Sequence, residues 1–309
     1  MSFAHDVKKE LSKNNTEAYS QDFAELYGMM LFSRRFSHSE IKLKTESISV
    51  AERYITLANK LFTPVIEKQS VLKPNRDFIN LHTVSLILPD ECERIYSAFG
   101  HISTSPSLRI NRANIDDDMC VSAFLRGAFM SCGSVNDPQK NYHLEFCAAY
   151  KNLCTDLCTL LSEIEECNLT PKTILRSGSY VVYLKDSEQI TDLLTYMGAP
   201  SGAMDIMNAK AYKQMRNMAN RRTNSDLANI AKTATAAAKQ LSAIEKLEAT
   251  VGLSSLPAQL YEIAVLRKDN PELSLRDLGA LLDPPISRSG VNHRLMKIME
   301  LAGVDKDSE

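Results

Sequence analysis

Two hydrophobic periods alternate along the first two hundred residues. Residues 22–33 (DFAELYGMMLFS) are apolar on nearly every side, as in a fully buried helix. Residues 41–47 then alternate apolar and polar, the period of a half-buried strand. A helix over about 50–62, strands near 64–70 and 77–88, and a closing helix at 90–99 complete a first set. The order then returns: an apolar helix at 120–131 (CVSAFLRGAFMS), a strand at 142–149 and a helix at 151–166. Strands near 172–176 and 179–185 and a helix at 187–197 close the second set. Gly28 and Gly127, 99 residues apart, hold matching places in the two apolar helices. The pattern predicts a body of two similar halves, 1–117 and 118–205.

Strand periodicity stops at Gly198, and residues 204–249 read as helix, first polar and basic, then alanine-rich. Leu227, Ile230, Ala231, Ala234, Ala238, Leu241 and Ile244 keep helical spacing there. This arm, assigned to 206–249, is followed by the breakers Gly252 and Pro257 and a compact all-helical head over 250–305. The expected fold class is α+β: a pseudo-symmetric two-half body joined by a helical arm to a three-helix helix-turn-helix domain.

The head carries the most specific signals. Leu260, Ile263, Ala264 and Arg267 line one face of a first helix that stops before Pro271. Ser274 with Asp277 three residues on forms a capping box for a second helix, and Leu273 with Leu278 supplies a hydrophobic staple. Asp283-Pro284-Pro285-Ile286 cannot continue a helix, because each proline lacks a donor and clashes with the preceding turn. Ser287 caps a third helix, with Ile286 and Val291 as its staple; two helices separated this way have helix-turn-helix spacing. Val291, Leu295 and Ile298 fall on the inner face of that helix. Ser289, His293 and Lys297 fall opposite, flanked by Arg288, Asn292 and Arg294, and Gly290 lies near the outer face, where backbone is expected to approach DNA. No acid occurs between Asp283 and Glu300. Arginine and asparagine donors suit base edges, lysine and serine suit phosphates, and a carboxylate would repel the duplex. The candidate DNA-binding set in the head is Ser274, Arg276, Ser287, Arg288, Ser289, Asn292, His293, Arg294 and Lys297.

On the arm, Lys210, Lys213, Asn217, Asn220 and Arg221 share one helical face, while Tyr212, Met215, Met218 and Ala219 share the other. With no acid between Asp205 and Asp226, this reads either as a phosphate-tracking face whose apolar back docks on the body, or as a solvated linker face.

Composition narrows the field. Lys+Arg total 36 and Asp+Glu 38, giving a net charge of −2, with 44% hydrophobic and 24% charged residues. That excludes a disordered chain, a collagen-like repeat and a globally basic histone-like binder, so any nucleic-acid contact rests on local clusters. No apolar run approaches the ~18 residues of a membrane span, and residues 1–10 lack a signal-type apolar stretch. The expected location is cytoplasmic, with the nucleoid, and no membrane partner is expected. Seven cysteines in no framework spacing, with Cys154 and Cys158 at i, i+4 and no companion His pair, read as buried thiols in a reducing compartment. Neither a metal nor a cofactor is expected.

Leu125–Gly133 (LRGAFMSCG) resembles the LAGLIDADG nonapeptide of homing endonucleases, a helix whose small residues let two helices pack closely between pseudo-symmetric halves. In that motif an acid at the eighth position holds a divalent metal at the DNA backbone. Leu26–Arg34 (LYGMMLFSR) fits the same frame more loosely. Residues 133–145 (GSVNDPQKNYHLE), 180–186 (YVVYLKD), 215–228 (MRNMANRRTNSDLA) and 283–295 (DPPISRSGVNHRL) resemble the WhiA family over about residues 3–303. The resemblance implies a bacterial DNA-binding regulator with a degenerate LAGLIDADG body and a C-terminal helix-turn-helix. It also implies roles in gene regulation, cell division, chromosome segregation and, in sporulating hosts, sporulation. The first half departs from the nonapeptide, with Arg34 where glycine would end it; Arg34 and Arg35 could touch DNA or form a solvated pair.

The position matching the catalytic acid is Ser33 in the first half and Cys132 in the second. Metal-assisted cleavage needs carboxylates to hold the ion, and a hydroxyl or thiol is a poor ligand for Mg²⁺. Asp137, the nearby acid that could stand in, precedes Pro138 and reads as a turn residue. The expected function is therefore a non-catalytic, sequence-specific regulator that binds double-stranded DNA at promoter or operator sites, its body free to hold a protein partner. The alternatives are a surviving metal-dependent endonuclease, or a ligand- or protein-binding body with the head as its DNA anchor.

Overall fold

The computed structural model describes residues 2–15, 18–72, 80–105 and 107–303. The chain divides into two compact units, Met1–Lys213 and Gln214–Glu309. The first unit opens with α1 (Phe3–Leu11), which the sequence pattern did not reveal. Its first half continues as α2 (Tyr19–Leu31), β1 (Arg35–Phe36), β2 (Ile41–Thr45), α3 (Ile48–Leu61), β3 (Ile66–Leu72), β4 (Asn80–Leu86) and α4 (Pro89–Ala98). The second half repeats the order with α5 (Asp118–Cys132), β5 (Gly133–Val135), β6 (Leu144–Ala148), α6 (Lys151–Ser162), β7 (Lys172–Arg176), β8 (Ser179–Leu184) and α7 (Ser187–Met197). Among the described residues the strands form two four-stranded antiparallel sheets, ordered β1-β2-β4-β3 and β5-β6-β8-β7. The body is thus α+β with two matching halves, as the periodicity implied. The expected strand residues 77–79 lie outside the described residues.

Strand alternation sets what each sheet buries. Ile41, Leu43 and Thr45 of β2 point inward, while Lys42 and Lys44 point out. In β6, Leu144, Phe146 and Ala148 point inward and Glu145 and Cys147 outward. One hydrophobic core runs through both halves, from Leu26 and Tyr54 to Phe129 and Leu194.

At its centre α2 packs against α5. A Cβ on Gly28 would collide with the carbonyl oxygen of Phe124, and a Cβ on Gly127 with that of Glu25. Phe124 is three residues before Gly127 and Glu25 three before Gly28, so the two clashes are images of one another under the internal two-fold. The glycines let the helix backbones touch. Ser131 Oγ donates to Met29 O across the same seam, 2.7 Å.

Above the glycines a charged network joins the halves. The buried Glu25 carboxylate accepts from Arg53 Nε and Nη2 (2.7 and 2.9 Å) and from Arg126 Nε and Nη2 (3.0 and 2.8 Å). Asp22, equally buried, pairs with Arg53 and with Lys60.

α8 (Pro200–Thr250) is one continuous helix. Its first turns bury Gly202, Ala203, Ile206 and Ala209 within the first unit. In the second unit, α9 (Ala258–Asp269), α10 (Leu275–Ala280) and α11 (Arg288–Leu301) follow. Their core joins Ile263, Leu278, Val291, Leu295 and Ile298 to Ala243, Ile244 and Leu247 of α8. The expected apolar stripe on the arm is therefore covered only toward its end, and Leu227 and Ile230 are exposed. Among the described residues no helix is long and apolar enough to cross a membrane.

Candidate nucleic-acid interface

Local chemistry builds the helix-turn-helix. Ser274 caps α10, accepting from the backbone N–H of Asp277 at 3.3 Å, while its own hydroxyl donates to Asp277 Oδ2 at 2.7 Å. Ser287 caps α11 by accepting from the Gly290 N–H, 3.2 Å. The turn closes through Gly279, whose carbonyl accepts from Ile286 N at 3.0 Å. A Cβ on Gly279 would run into the carbonyl oxygen of Ile286, so this glycine, which sequence reading passed over, permits the close approach of turn to helix. Arg267 is buried on α9 and donates to the carbonyls of Leu273 and Pro271, fixing the chain that enters α10.

These contacts present α11 as the pattern anticipated. Val291, Leu295 and Ile298 are buried. Arg288, Ser289, Asn292, His293 and Lys297 are exposed and Arg294 is half-buried, all on one helix. No ion pair to Arg276, Arg288, Arg294 or Lys297 occurs among the described residues, so their donors remain available to an outside acceptor. Two expectations change. The Ser274 hydroxyl is spent on its cap. Gly290 turns its Cα face toward Ile286, where a Cβ would make ordinary contact at 3.4 Å, rather than clearing a path for DNA.

On the arm the expected basic face is divided, its two lysines meeting the body and its later residues lying open. Lys210 Nζ pairs with Glu188 at 2.7 Å. Lys213 Nζ donates to Pro138 O at 2.7 Å and lies 4.7 Å from the centre of the Tyr142 ring. Both lysines continue the docked stripe of Ile206 and Ala209, because ammonium heads can reach body acceptors while their stems cover apolar surface. The supposed apolar back is open, with Tyr212, Met215 and Met218 62%, 69% and 71% exposed. Asn217, Asn220 and Arg221 are exposed as expected, as are Arg216 and Arg222, which the face assignment had left aside.

In the body, no group of three metal-ligating side chains converges at the ends of the two nonapeptide helices among the described residues. Beside Ser33 lies a cavity of about 170 Å³ whose walls include Arg34, Arg35, Cys147 and Tyr150 and, among the described residues, no carboxylate. The Ser33 hydroxyl donates to Arg35 O at 2.8 Å. Around Cys132 stand Lys8 of α1 and Cys147, and Glu46 lies near Lys8 in turn. Burial pushes the Cys132 thiol up to about 12, so it stays protonated, and burial also lowers Lys8 from the ordinary lysine value. Asp137 is a turn residue whose Oδ1 accepts from Gln139 N at 2.9 Å. Asp116, Asp117 and Cys120 do cluster, but at the start of α5, about 21 Å along the helix from Cys132. Asp117 there is the helix cap.

A two-half body with glycine-crossed central helices, followed by a helix-turn-helix, defines a LAGLIDADG-like protein with a nucleic-acid-binding head. Family models agree on both parts: the WhiA LAGLIDADG-like domain matches residues 121–216 and the WhiA C-terminal HTH domain matches residues 219–302. The chain belongs to the WhiA family. It is 35% identical over 316 residues to the "Probable cell division protein WhiA" of Clostridium botulinum, covering 98% of each chain. The protein of the same name from Lachnoclostridium phytofermentans is 36% identical over 313 residues, again covering 98% of each. The crystal structure of full-length DUF199/WhiA from Thermatoga maritima superposes with a TM-score of 0.61 at 22% identity, over 100% of both chains, and shares the fold.

Proposed function

We propose that this protein is a non-catalytic, sequence-specific DNA-binding regulator that reads duplex DNA through α11. The observation that carries the reading is the outer face of that helix: Arg288, Asn292, His293, Arg294 and Lys297 without an acid among them and, among the described residues, without ion pairs. Arg and Asn there suit the donor and acceptor pattern of the major groove, and Lys297 and Ser289 suit phosphates. Exposed Asn217, Asn220 and Arg221, with Arg216 and Arg222, add a phosphate-contacting stretch, while Lys210 and Lys213 serve to anchor α8. The relatives' name points to cell division as the process regulated; chromosome segregation and sporulation belong to the same expectation, and so does a location with the nucleoid.

Absence of catalysis rests on donor chemistry. Ser33 and Cys132 stand at the acid positions, and a hydroxyl and a protonated thiol are unsuited to Mg²⁺. A genome-wide occupancy map in the host tests the regulatory reading. Discrete peaks upstream of genes, lost on Arg294→Ala, are expected; uniform coverage of the chromosome would contradict it.

A further inference from the structure

Every residue of α8 from Gln214 to Ala236 is exposed, so nothing in its own unit covers this stretch of helix. It is not polar all round. Leu227, Ile230, Ala234, Ala237, Leu241 and Ile244 follow one another at alternating spacings of three and four, the heptad of a helix that pairs with another helix. Ala237 and Ile244 are buried and Leu241 is half-buried, but Leu227 and Ile230 stand 59% and 64% exposed. Along the open part of this seam runs a groove of about 600 Å³. Ile230, Ala234, Ala238 and Leu241 form one side of it, and Pro271 and Glu272 of the turn before α10 form the other.

The charges around the groove favour one occupant. Lys232 lies two residues and Lys239 five from Ala234, which at about 100° per residue turns both away from the seam, so two copies of α8 meet there without like charges. Glu272 is the one charge lining the groove among the described residues, and neither it nor Lys232 has an ion-pair partner among them. With a second α8 lying parallel in the groove, the two-fold axis runs along the seam and the two heads fall on opposite sides of it. Each Glu272 then faces the flank of the other helix, within the sweep of that helix's Lys232. An antiparallel second helix would instead put both heads on one side and bring the two Glu272 walls together.

We propose that the protein forms a parallel homodimer through residues 227–241 of α8, with Leu227, Ile230 and Leu241 of each copy packed on the other and Lys232 paired with the partner's Glu272. Joined to the reading of α11, this implies a target of two half-sites; the pairing itself does not rest on that reading, and its test reads mass rather than DNA binding.

Sedimentation equilibrium of the full-length protein supplies the test. The mass should rise from 34.5 kDa toward twice that value over about 1–100 µM, as suits a short seam. The Leu227→Glu/Ile230→Glu variant, altered only at exposed side chains, should melt as the wild type does and associate at least about tenfold more weakly. Glu272→Lys and Lys232→Glu should each weaken association about tenfold, because two symmetric exposed pairs turn repulsive, and the two together should restore it. A wild type that stays monomeric over this range would give the groove to another occupant and overturn the proposal, as would undiminished association of the Leu227→Glu/Ile230→Glu variant. A combined charge exchange that associates no more tightly than either single one would overturn the parallel pairing.

Discussion

Two kinds of contact should separate on α11 when single residues are removed. Arg294 is half-buried, so its guanidinium is held by the stem beneath it, which favours a bidentate contact to a base edge. Arg294→Ala is expected to weaken binding to the preferred sequence by ~1–3 kcal/mol and to leave binding to random duplex nearly unchanged. Lys297 is exposed and one turn nearer the C-terminus. Lys297→Ala should weaken all sequences alike and flatten the salt dependence by about one unit. Fluorescence anisotropy at several salt concentrations reads both quantities; identical behaviour of the two variants would mean that α11 does not divide its contacts this way. At this scale the sequence was most legible where short-range chemistry decides. The serine caps, the inward Val291, Leu295 and Ile298 and the turn role of Asp137 all follow from a residue and its near neighbours. Gly279 was not legible, because its need arises from Ile286 O, a contact across the turn.

Among elements, the crossing of α2 and α5 is the feature on which the body depends. Gly127→Ala would press a methyl into the Glu25 carbonyl, with backbone on both sides unable to yield. A loss of about 3 kcal/mol, the upper end of overpacking, is expected in denaturant unfolding, and Gly28→Ala should match it by symmetry. Gly290→Ala is the control. A Cβ there meets Ile286 at ordinary contact distance, so stability should hold or rise by up to ~1 kcal/mol from helix propensity. The arm makes a different prediction. Neutralising Arg221 and Arg222 should reduce the salt slope of DNA binding by up to about 2 × 0.9 units, whereas Lys210→Ala with Lys213→Ala should leave it unchanged. A larger effect from the lysine pair would restore the phosphate-facing arrangement that the helical pattern alone suggested. That pattern misjudged the arm because a helical wheel shows which residues share a face but not which face meets the body. Likewise β1 and β5, with two and three residues, are too short to show an alternation, so each half was read with one strand too few.

For the whole molecule, the two matching halves and the helical head were visible in the order of hydrophobic periods, since each element repeats its period over enough residues to be read. What the periods could not show is the surroundings of Ser33 and Cys132, where α1 brings Lys8 beside one and the cavity wall brings Arg34 and Arg35 beside the other. From that arrangement, no cleavage of bound duplex is expected with Mg²⁺ or Mn²⁺; nicking that is abolished by chelator and by Asp137→Asn would overturn it. The central claim, sequence-specific reading of DNA by α11, is tested most directly by selecting bound duplexes from a random library with the full-length protein and with its Arg288→Ala/Arg294→Ala variant. Wild-type protein should enrich one discrete motif, and the variant should retain salt-sensitive binding while enriching none. Failure of the wild type to enrich any motif, or enrichment of the same motif by the variant, would contradict the assignment.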